Sequence, residues 1–170
     1  YSIGGFSFQD VAKIVGIKKG SLYYHFESKD ELVVAILERA RDELRKSFAR
    51  GTAKTPTERL MSFVNIFRKF IAPAHKMCPG GVFASDWGRL SPEVKRAVKK
   101  MYFAQVEGVQ EIIEAGRATG EFRTNSKSAH TMAVWIISSV QGSLVTSRIM
   151  GDPEPFEQAV ELAMDCLKAP

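Results

Sequence analysis

The chain has 170 residues, of which 45% are hydrophobic and 25% are charged, and it carries a net charge of +5 at neutral pH. This composition is typical of a soluble globular protein, and the positive charge favours an acidic partner. The two cysteines, Cys78 and Cys166, lie far apart and have no Cys or His neighbours at metal-ligand spacing, which argues against a disulfide framework and a zinc site and favours a reducing compartment.

Two short helices are predicted at the N-terminus. Ser7 and Asp10 have the spacing of a capping box, in which each side chain accepts a hydrogen bond from the other residue's backbone. They begin a helix that ends near Gly16, and residues 18–24 form the second helix.

A longer helix is predicted next, beginning at a second capping-box pair, Ser28 and Glu31, and ending at Gly51. Residues at helical spacing give this helix one apolar face. The face consists of Val33, Leu37, Ala40, Leu44 and Phe48.

The fourth helix is predicted from its start signals, with Thr55 as the cap, Pro56 at the first helical position and Glu58 in the first turn. The segment from Pro73 to Gly81 then interrupts the helical pattern. The apolar face of this helix consists of Leu60, Phe63, Phe67, Phe70 and Ile71.

A long helix is predicted from Ser91, its cap, to Gly120, with Pro92 in its first turn. Two of its faces are apolar, which predicts that it is sandwiched between neighbours. One face holds Val94, Val98 and Met101, and the other holds Tyr102, Val106, Val109 and Ile113.

The last two helices are predicted at residues 128–150 and 154–167, separated by the turn residues of GDPEP. Residues 128–147 carry no charge and are numerous enough to span a bilayer. Nine of their side chains are Ser, Thr, His or Gln, which lipid cannot satisfy. We therefore predict no membrane span.

The predicted fold class is all-α, because no segment shows the alternation of a strand. A small helical unit at the N-terminus is expected to precede a larger helical bundle. We place the boundary between residues 45 and 55, so that the two predicted domains are residues 1–48 and 49–170.

The stretch KKGSLYYHF, which begins at Lys18, crowds cations and hydrogen-bonding side chains onto the second helix. Two short helices joined at Gly16 have the form of a helix-turn-helix, whose second helix lies in the DNA major groove. Lysines at a helix N-terminus are unfavourable by about 0.3 to 1 kcal/mol, and an anionic partner would reverse this effect. For Lys18 and Lys19 alone, a solvated basic turn is the alternative, while Leu22 and Phe26 are expected to be core.

The stretch FSFQDVAKIVGIKKGSLYYHFESKDEL, residues 6–32, closely resembles the DNA-binding region of the TetR/AcrR family of bacterial transcriptional regulators. The family pattern is a DIA-like segment, a Gly-Val turn, the motif K-G-x-L-Y-x-H-F and then x-S-K. The stretches MCPGG, GEFR and QGSLVTSRIMGDP also resemble parts of the family's C-terminal domains. The resemblance implies a dimeric, ligand-responsive repressor in a bacterial cytoplasm.

The resemblance also implies which residues contact double-stranded DNA. Ser7 would touch a phosphate at the start of the first helix, and Lys29 would bind a phosphate at the start of the third. The family's first helix is absent from this sequence, so we expect the chain to be trimmed, and Lys18 stands where the family usually has Ser or Thr. The recognition surface would consist of Lys18, Lys19, Gly20, Ser21, Tyr23, Tyr24 and His25.

A small-molecule effector in the C-terminal bundle is a further implication of the resemblance. Such pockets are mostly apolar, although an aromatic stripe at helical spacing is more often core. Asp86, Glu107 and His75 are polar candidates for orienting the effector. The apolar candidates are Phe63, Phe67, Phe70, Phe83, Trp87, Tyr102, Phe103, Val106 and Trp135.

Neither catalysis nor a cofactor is predicted. There is no HExxH, GxSxG or phosphate-loop motif, and His25, His75 and His130 are scattered along the chain. The alternative to a regulator is a helical carrier or sensor that binds a small molecule without binding DNA. For Cys78 we favour a buried structural thiol over a redox sensor, and for Cys166 a reducing cytoplasm argues against a bridge to its symmetry mate.

A homodimer is predicted from the last two helices, whose apolar faces exceed what one packing contact requires. We expect a symmetric four-helix interface, and its two recognition helices would read a pseudo-palindromic operator with half-sites about 34 to 36 Å apart. One face holds Ala133, Ile136, Ile137, Val140 and Leu144 beside the small residues Ser139, Gly142 and Ser143, and the matching face holds Phe156, Val160, Ala163 and Leu167.

Overall fold

The computed structural model describes residues 5–50, 54–71, 79–124 and 127–169, and in these ranges the chain is helical apart from one isolated bridge between Phe122 and Lys168. This confirms the predicted all-α class. No helix within these ranges is long and apolar enough to cross a membrane. The α-helices are α1 Phe8–Val15, α2 Lys19–His25, α3 Lys29–Arg50, α4 Pro56–Arg68, α5 Pro79–Ser85, α6 Pro92–Ala118, α7 Ala129–Met150 and α8 Glu154–Leu167, with a short 3-10 helix at Trp87–Arg89.

The chain divides into two compact units. The first unit comprises Tyr1–Glu43 and Pro79–Tyr102, and the second comprises Leu44–Cys78 and Phe103–Pro170. The helices α3 and α6 each contribute one part to each unit. The predicted boundary between residues 45 and 55 stays a prediction.

The first unit has two buried clusters. One joins α1, α2 and the start of α3, and the other joins α3 to the first half of α6. The first cluster consists of Phe8, Ala12, Leu22 and Leu32, with Val11 and Phe26 partly buried against it. The second cluster consists of Val33, Leu37, Leu90, Val94 and Ala97, with Phe6, Val34, Phe83 and Val98 against it.

The second unit is built around α4, α7 and α8. The predicted cap of α4 is present, since the Thr55 hydroxyl accepts from the Glu58 N–H at 3.2 Å and the Glu58 carboxylate accepts from the Thr55 N–H at 2.9 Å. Helices α7 and α8 pack on each other, and the Phe156 N–H donates to the Ser147 hydroxyl at 3.1 Å. The buried side chains include Leu60, Phe63, Phe67, Ile136, Ile137 and Leu167.

An ion pair ties α4 to α8. The Arg68 guanidinium donates twice to the Glu157 carboxylate, at 2.7 and 2.6 Å, and once to Asn65. These hydrogen bonds to Glu157 raise the pKa of Arg68. Because the pair is partly exposed, it adds orientation to a contact that depends mainly on apolar burial.

Two glycines of α6 admit aromatic rings. A Cβ atom added at Gly108 would lie 2.2 Å from the Phe48 ring, and one at Gly116 would lie 2.1 Å from the Phe122 ring. No side chain fits at these distances, so glycine is required there by packing. The Phe48 ring also stacks on Phe63 at a centroid distance of 5.7 Å.

Two predictions about the elements are corrected. The interruption predicted from Pro73 to Gly81 is shorter, because α5 begins at Pro79, a residue that is compatible with a first helical position; residues 72–78 lie outside the described part. Helix α6 contributes Val94 and Tyr102 to the first unit and Val109 to the second, and its packing between neighbours on two faces stays a prediction. Each predicted bound of α7 lies within one residue of the observed helix, and the bounds of α8 are confirmed.

The second correction concerns the predicted dimer faces of α7 and α8. Eight of their residues are at most 5% exposed within a single protomer, where α7 and α8 pack on each other. They are therefore core residues of the protomer and leave no surface for an interface between subunits. These residues are Ala133, Ile136, Ile137 and Val140 on α7 and Phe156, Val160, Ala163 and Leu167 on α8.

Candidate nucleic-acid interface

A tight turn joins α1 and α2 into a helix-turn-helix. Gly16 has a φ of +79°, in the left-handed region that residues with side chains rarely adopt. The N–H groups of Gly16 and Ile17 both donate to the Ala12 carbonyl oxygen, at 2.9 and 3.0 Å. These bonds satisfy the end of α1 and redirect the chain into α2.

The helix α2 presents nearly its whole surface to solvent. Leu22 is its one buried residue, and the other six are exposed. Tyr24 is 85% exposed although a tyrosine ring normally gains from burial. A single buried side chain thus lies on a helix whose other side chains expose cations, hydroxyls and rings to a partner.

The N-terminus of α2 lacks the side-chain cap that α1, α4 and α7 have. Lys18 occupies the cap position, its side chain makes no capping hydrogen bond, and the first turn has no acidic residue. By contrast, α1, α3 and α4 each have an acidic residue in the first turn. The positive end of α2 is thus surrounded by positive charge, which favours an anion there.

Ring contacts order part of this surface. The Lys19 ammonium lies 5.5 Å from the centroid of the Tyr23 ring, and that ring packs edge-on against Phe8 at 4.8 Å. Tyr24 and His25 pack edge to face at 5.0 Å. Lys19 and Tyr23 are therefore anchored to the core through Phe8, whereas Tyr24 contacts only a neighbour on its own helix in these ring pairs.

Gly20 is not required by internal packing. A Cβ atom added there would meet nothing within 4 Å, and glycine inside a helix is less favourable than alanine by about 1 kcal/mol. A glycine at this position is explained if a partner's backbone approaches α2 closely there. Ser21 is exposed beside it.

Ser7 is the N-cap of α1. Its N–H and its hydroxyl both donate to one Asp10 carboxylate oxygen at 2.7 Å, and the Asp10 N–H donates to the Ser7 hydroxyl at 3.3 Å. The Ser7 hydroxyl is the main cause that lowers the pKa of Asp10, followed by the Ser7 N–H and the charge of Lys13. The phosphate contact of Ser7 stays a prediction.

Lys29 begins α3 and contacts Phe6. Its ammonium donates to the Phe6 carbonyl oxygen at 3.2 Å and lies 5.6 Å from the centroid of the Phe6 ring. The side chain is half-buried, so its position relative to α1 is defined by these contacts. The phosphate contact of Lys29 also stays a prediction.

The apolar effector candidates are divided between the two units. Phe83, Trp87 and Tyr102 belong to the first unit, and the others belong to the second. Phe63 and Phe67 are 3% exposed and pack edge to face at 5.1 Å, as core residues do. The remaining candidates of the second unit are Phe70 (half-buried), Val106 (buried), and Phe103 and Trp135 (both exposed).

The polar candidates are also dispersed. Asp86 is half-buried, and the Glu107 carboxylate lies 3.7 Å from the Arg45 guanidinium on the surface. His75 and Cys78 lie outside the described residues. Cys166 is a free, half-buried thiol, and no three His, Cys, Asp or Glu side chains of the described ranges are grouped to hold a metal ion.

Residues that the sequence reading missed lie on the outer faces of α7 and α8. Ile149 is 77% exposed and Leu162 is 59% exposed, and Val145 and Trp135 are also exposed. On α7 the positions 135, 138, 142, 145 and 149 repeat with alternating steps of three and four, the spacing of a helix-packing seam. This spacing was the signal that could have identified the face.

Models of protein families match both parts of the chain. The model for bacterial regulatory proteins of the tetR family matches residues 2–36, and the model for the tetracyclin repressor-like C-terminal domain matches residues 56–163. The second match alone covers more than half of the chain.

Individual proteins match over most of the chain. The HTH-type transcriptional repressor DhaR of Mycobacterium sp. (strain GP1) is 24% identical over 164 residues, covering 96% of this chain and 82% of that protein. The HTH-type transcriptional repressor KstR2 of Mycolicibacterium smegmatis is 29% identical over 126 residues, covering 68% and 57%. The crystal structure of a TetR transcriptional regulator from Legionella pneumophila superposes with a TM-score of 0.85 at 28% identity, covering 98% of this chain and 88% of that one.

Proposed function

The chain belongs to the TetR family of bacterial regulatory proteins, and we propose that it is a non-enzymatic repressor. It binds a pseudo-palindromic operator as a homodimer and releases it when a small-molecule effector binds. The repressor relatives DhaR and KstR2 support the direction of regulation. The place of action is the bacterial cytoplasm, where the chromosome lies.

The exposed surface of α2 carries this proposal. It has a single buried residue, an uncapped and basic N-terminus and an open glycine, and each of these features favours contact with a phosphate backbone and base edges. The proposed DNA contacts are Ser7, Lys18, Lys19, Gly20, Ser21, Tyr23, Tyr24, His25 and Lys29.

Residues 1–48 are proposed as the DNA-binding domain and residues 49–170 as the effector-binding and dimerisation domain. The ranges of the two family models, 2–36 and 56–163, support this division. The effector site is proposed among the apolar candidates of the second unit, with Phe63 and Phe67 at its inner wall because both are buried.

The exposed seam of α7 and α8 is proposed as the dimer interface. Trp135, Val145 and Ile149 on α7 and Leu162 on α8 leave apolar surface in water that a second copy would bury. The small residues Ser138 and Gly142 lie on the same side of α7 and permit close approach of two helices.

Selection of genomic DNA fragments by the full-length protein tests the proposal. We expect enrichment of fragments that share a pseudo-palindrome, and loss of this enrichment for Lys19→Ala. A protein that binds a small molecule and selects no fragment at any salt concentration would instead be the helical carrier without DNA binding.

A further inference from the structure

The positive charge of the first unit does not come from residues 1–43, the segment that contains the helix-turn-helix and most of α3. Residues 1–43 contain six Lys and Arg residues and seven Asp and Glu residues. Residues 79–102, the other segment of this unit, contain five basic residues and two acidic ones. A unit whose partner is a polyanion thus has its basic excess on the 3-10 helix and the first half of α6.

Two of these basic residues share one exposed aromatic ring. The ammonium groups of Lys95 and Lys99 lie 5.9 and 6.0 Å from the centroid of the Trp87 ring, which is 37% exposed. The two lysines are four residues apart on α6, so their like charges repel each other on one side of the helix. The attraction of each cation to the indole holds the pair together.

The pair has no carboxylate partner among the described residues. Neighbouring basic groups of the same unit do have one, since Arg96 pairs with Glu93 at 2.7 Å and Arg39 with Glu43 at 3.0 Å. The surface of Trp87, Lys95 and Lys99, named here the tryptophan-lysine patch, is therefore a preformed and unneutralised cation pair.

The patch is fixed to the helix-turn-helix by a common core. Val94, directly before Lys95, is fully buried in the cluster with Val33 and Leu37 of α3. Phe6 packs against the same cluster and also receives the Lys29 ammonium. A duplex held by α2 thus has the patch attached to the same compact unit.

We propose that the tryptophan-lysine patch is a second DNA-backbone contact, which binds phosphates of the duplex outside the bases that α2 reads. Lys95 and Lys99 each neutralise one phosphate, and Trp87 orders them so that little side-chain freedom is lost on binding. This inference rests on the proposed function, and it provides the positive charge for DNA binding that residues 1–43 lack.

The salt dependence of DNA binding tests the patch. The duplexes are the operator selected from genomic fragments, extended by about 10 bp on each side, and a random-sequence duplex of the same length. For Lys95→Gln/Lys99→Gln we expect the slope of log affinity against log salt to become shallower by about two units for each bound subunit, on both duplexes. The single variant Lys99→Gln, at an exposed position, is expected to lose about one unit and serves if the double variant folds poorly.

Arg96→Gln is the matched control. It removes a positive charge from the same helix, and Glu93 already neutralises that charge. An unchanged slope for both lysine variants overturns the patch, and so does an equal change for Arg96→Gln, which would indicate a general charge effect. If the lysine variants lose their response to the effector while their salt slope is unchanged, the DNA contact is overturned and the patch instead binds an anionic effector. If the wild-type protein binds no selected duplex more tightly than random-sequence DNA, the proposed function is contradicted. The salt slopes measured on the random-sequence duplex still show whether the tryptophan-lysine patch contacts DNA.

Discussion

Lys19 is the first residue of α2, and no carboxylate of the described residues pairs with it. Lys19→Ala should weaken operator binding and make its salt dependence shallower by about one unit for each subunit, because one phosphate contact is lost. Folding should be unchanged, since Lys19 is exposed. Fluorescence anisotropy over a salt series measures the slope, and Lys46→Ala, an exposed lysine of α3, is the control. Equal slopes for Lys19→Ala and wild type would remove Lys19 from the interface.

The capping box of α1 gives the protein a predictable response to acid. The pKa of Asp10 is lowered in the folded state by the Ser7 hydroxyl, so the contribution of this pair to stability is present above the ordinary carboxyl pKa. It is lost as the pH falls through the folded-state pKa. The pair therefore stabilises the helix-turn-helix at neutral pH and not in strong acid.

Ser7→Ala should destabilise the protein at pH 7 by about 0.5 to 2 kcal/mol, the usual effect of losing an N-cap. The difference from wild type should shrink only as the pH falls below the ordinary carboxyl pKa and through the lowered folded-state pKa of Asp10. Thermal unfolding at several pH values measures it, with Ser21→Ala as the control because Ser21 is exposed and does not cap a helix. A difference that is independent of pH would show that the Asp10 contact contributes nothing.

At the scale of the element, a substitution at Gly20 should change protein stability and operator affinity in opposite directions. Alanine fits there without a clash, so Gly20→Ala should raise stability by about 0.4 to 1 kcal/mol. Operator affinity should nevertheless fall, because the added methyl group occupies the space of the approaching backbone. Thermal unfolding and operator titration of one sample measure both effects. Unchanged affinity would place the DNA away from this face of α2.

Gly108 is the opposite case, a helical glycine that packing requires. Gly108→Ala would place a methyl group against the Phe48 ring and should destabilise the second unit by about 1 to 3 kcal/mol through overpacking. Since Gly20→Ala is the same substitution in an open helix, the pair separates steric clash from helix propensity. Partial rescue by Phe48→Leu, seen as a recovered unfolding midpoint, would locate the clash; absence of rescue would contradict it.

The elements were predictable where local signals decide them. Thr55 with Glu58 and Ser7 with Asp10 identify helix starts through their own hydrogen bonds, and Gly16 identifies an end through its backbone conformation. The loop expected around Pro79 is helical, because proline suits a first helical position although proline and two glycines together suggest a loop. The tryptophan-lysine patch could not be predicted, since the spatial position of Trp87 beside Lys95 and Lys99 depends on the fold.

At the scale of the whole molecule, helical periodicity does not predict which helix packs against an apolar face. Phe156 and Leu162 both lie at apolar positions of α8, yet Phe156 is buried in the protomer and Leu162 is exposed. Only the packing of α7 on α8 separates core from candidate interface. The proposed dimer consequently uses the outer seam and not the face that the sequence suggested.

Replacing Ile149 and Leu162 together by glutamate should convert the dimer into a monomer, because four carboxylates would meet across a symmetric apolar seam. The protomer should stay folded, since both residues are exposed. Sedimentation at micromolar concentration gives the oligomeric state, and Ile36→Glu, another exposed isoleucine, should remain dimeric. A double variant that still sediments as a dimer would place the interface elsewhere.

Affinity for the selected operator, compared with the same duplex after one half-site is scrambled, tests most directly whether two α2 helices read DNA together. The dimer should bind the intact duplex about 10³-fold or more tightly than random-sequence DNA at the same salt concentration. Scrambling one half-site should remove most of that preference, because only one recognition helix can then contact its bases. Equal affinity for the intact, half-scrambled and random duplexes would contradict operator recognition by this protein.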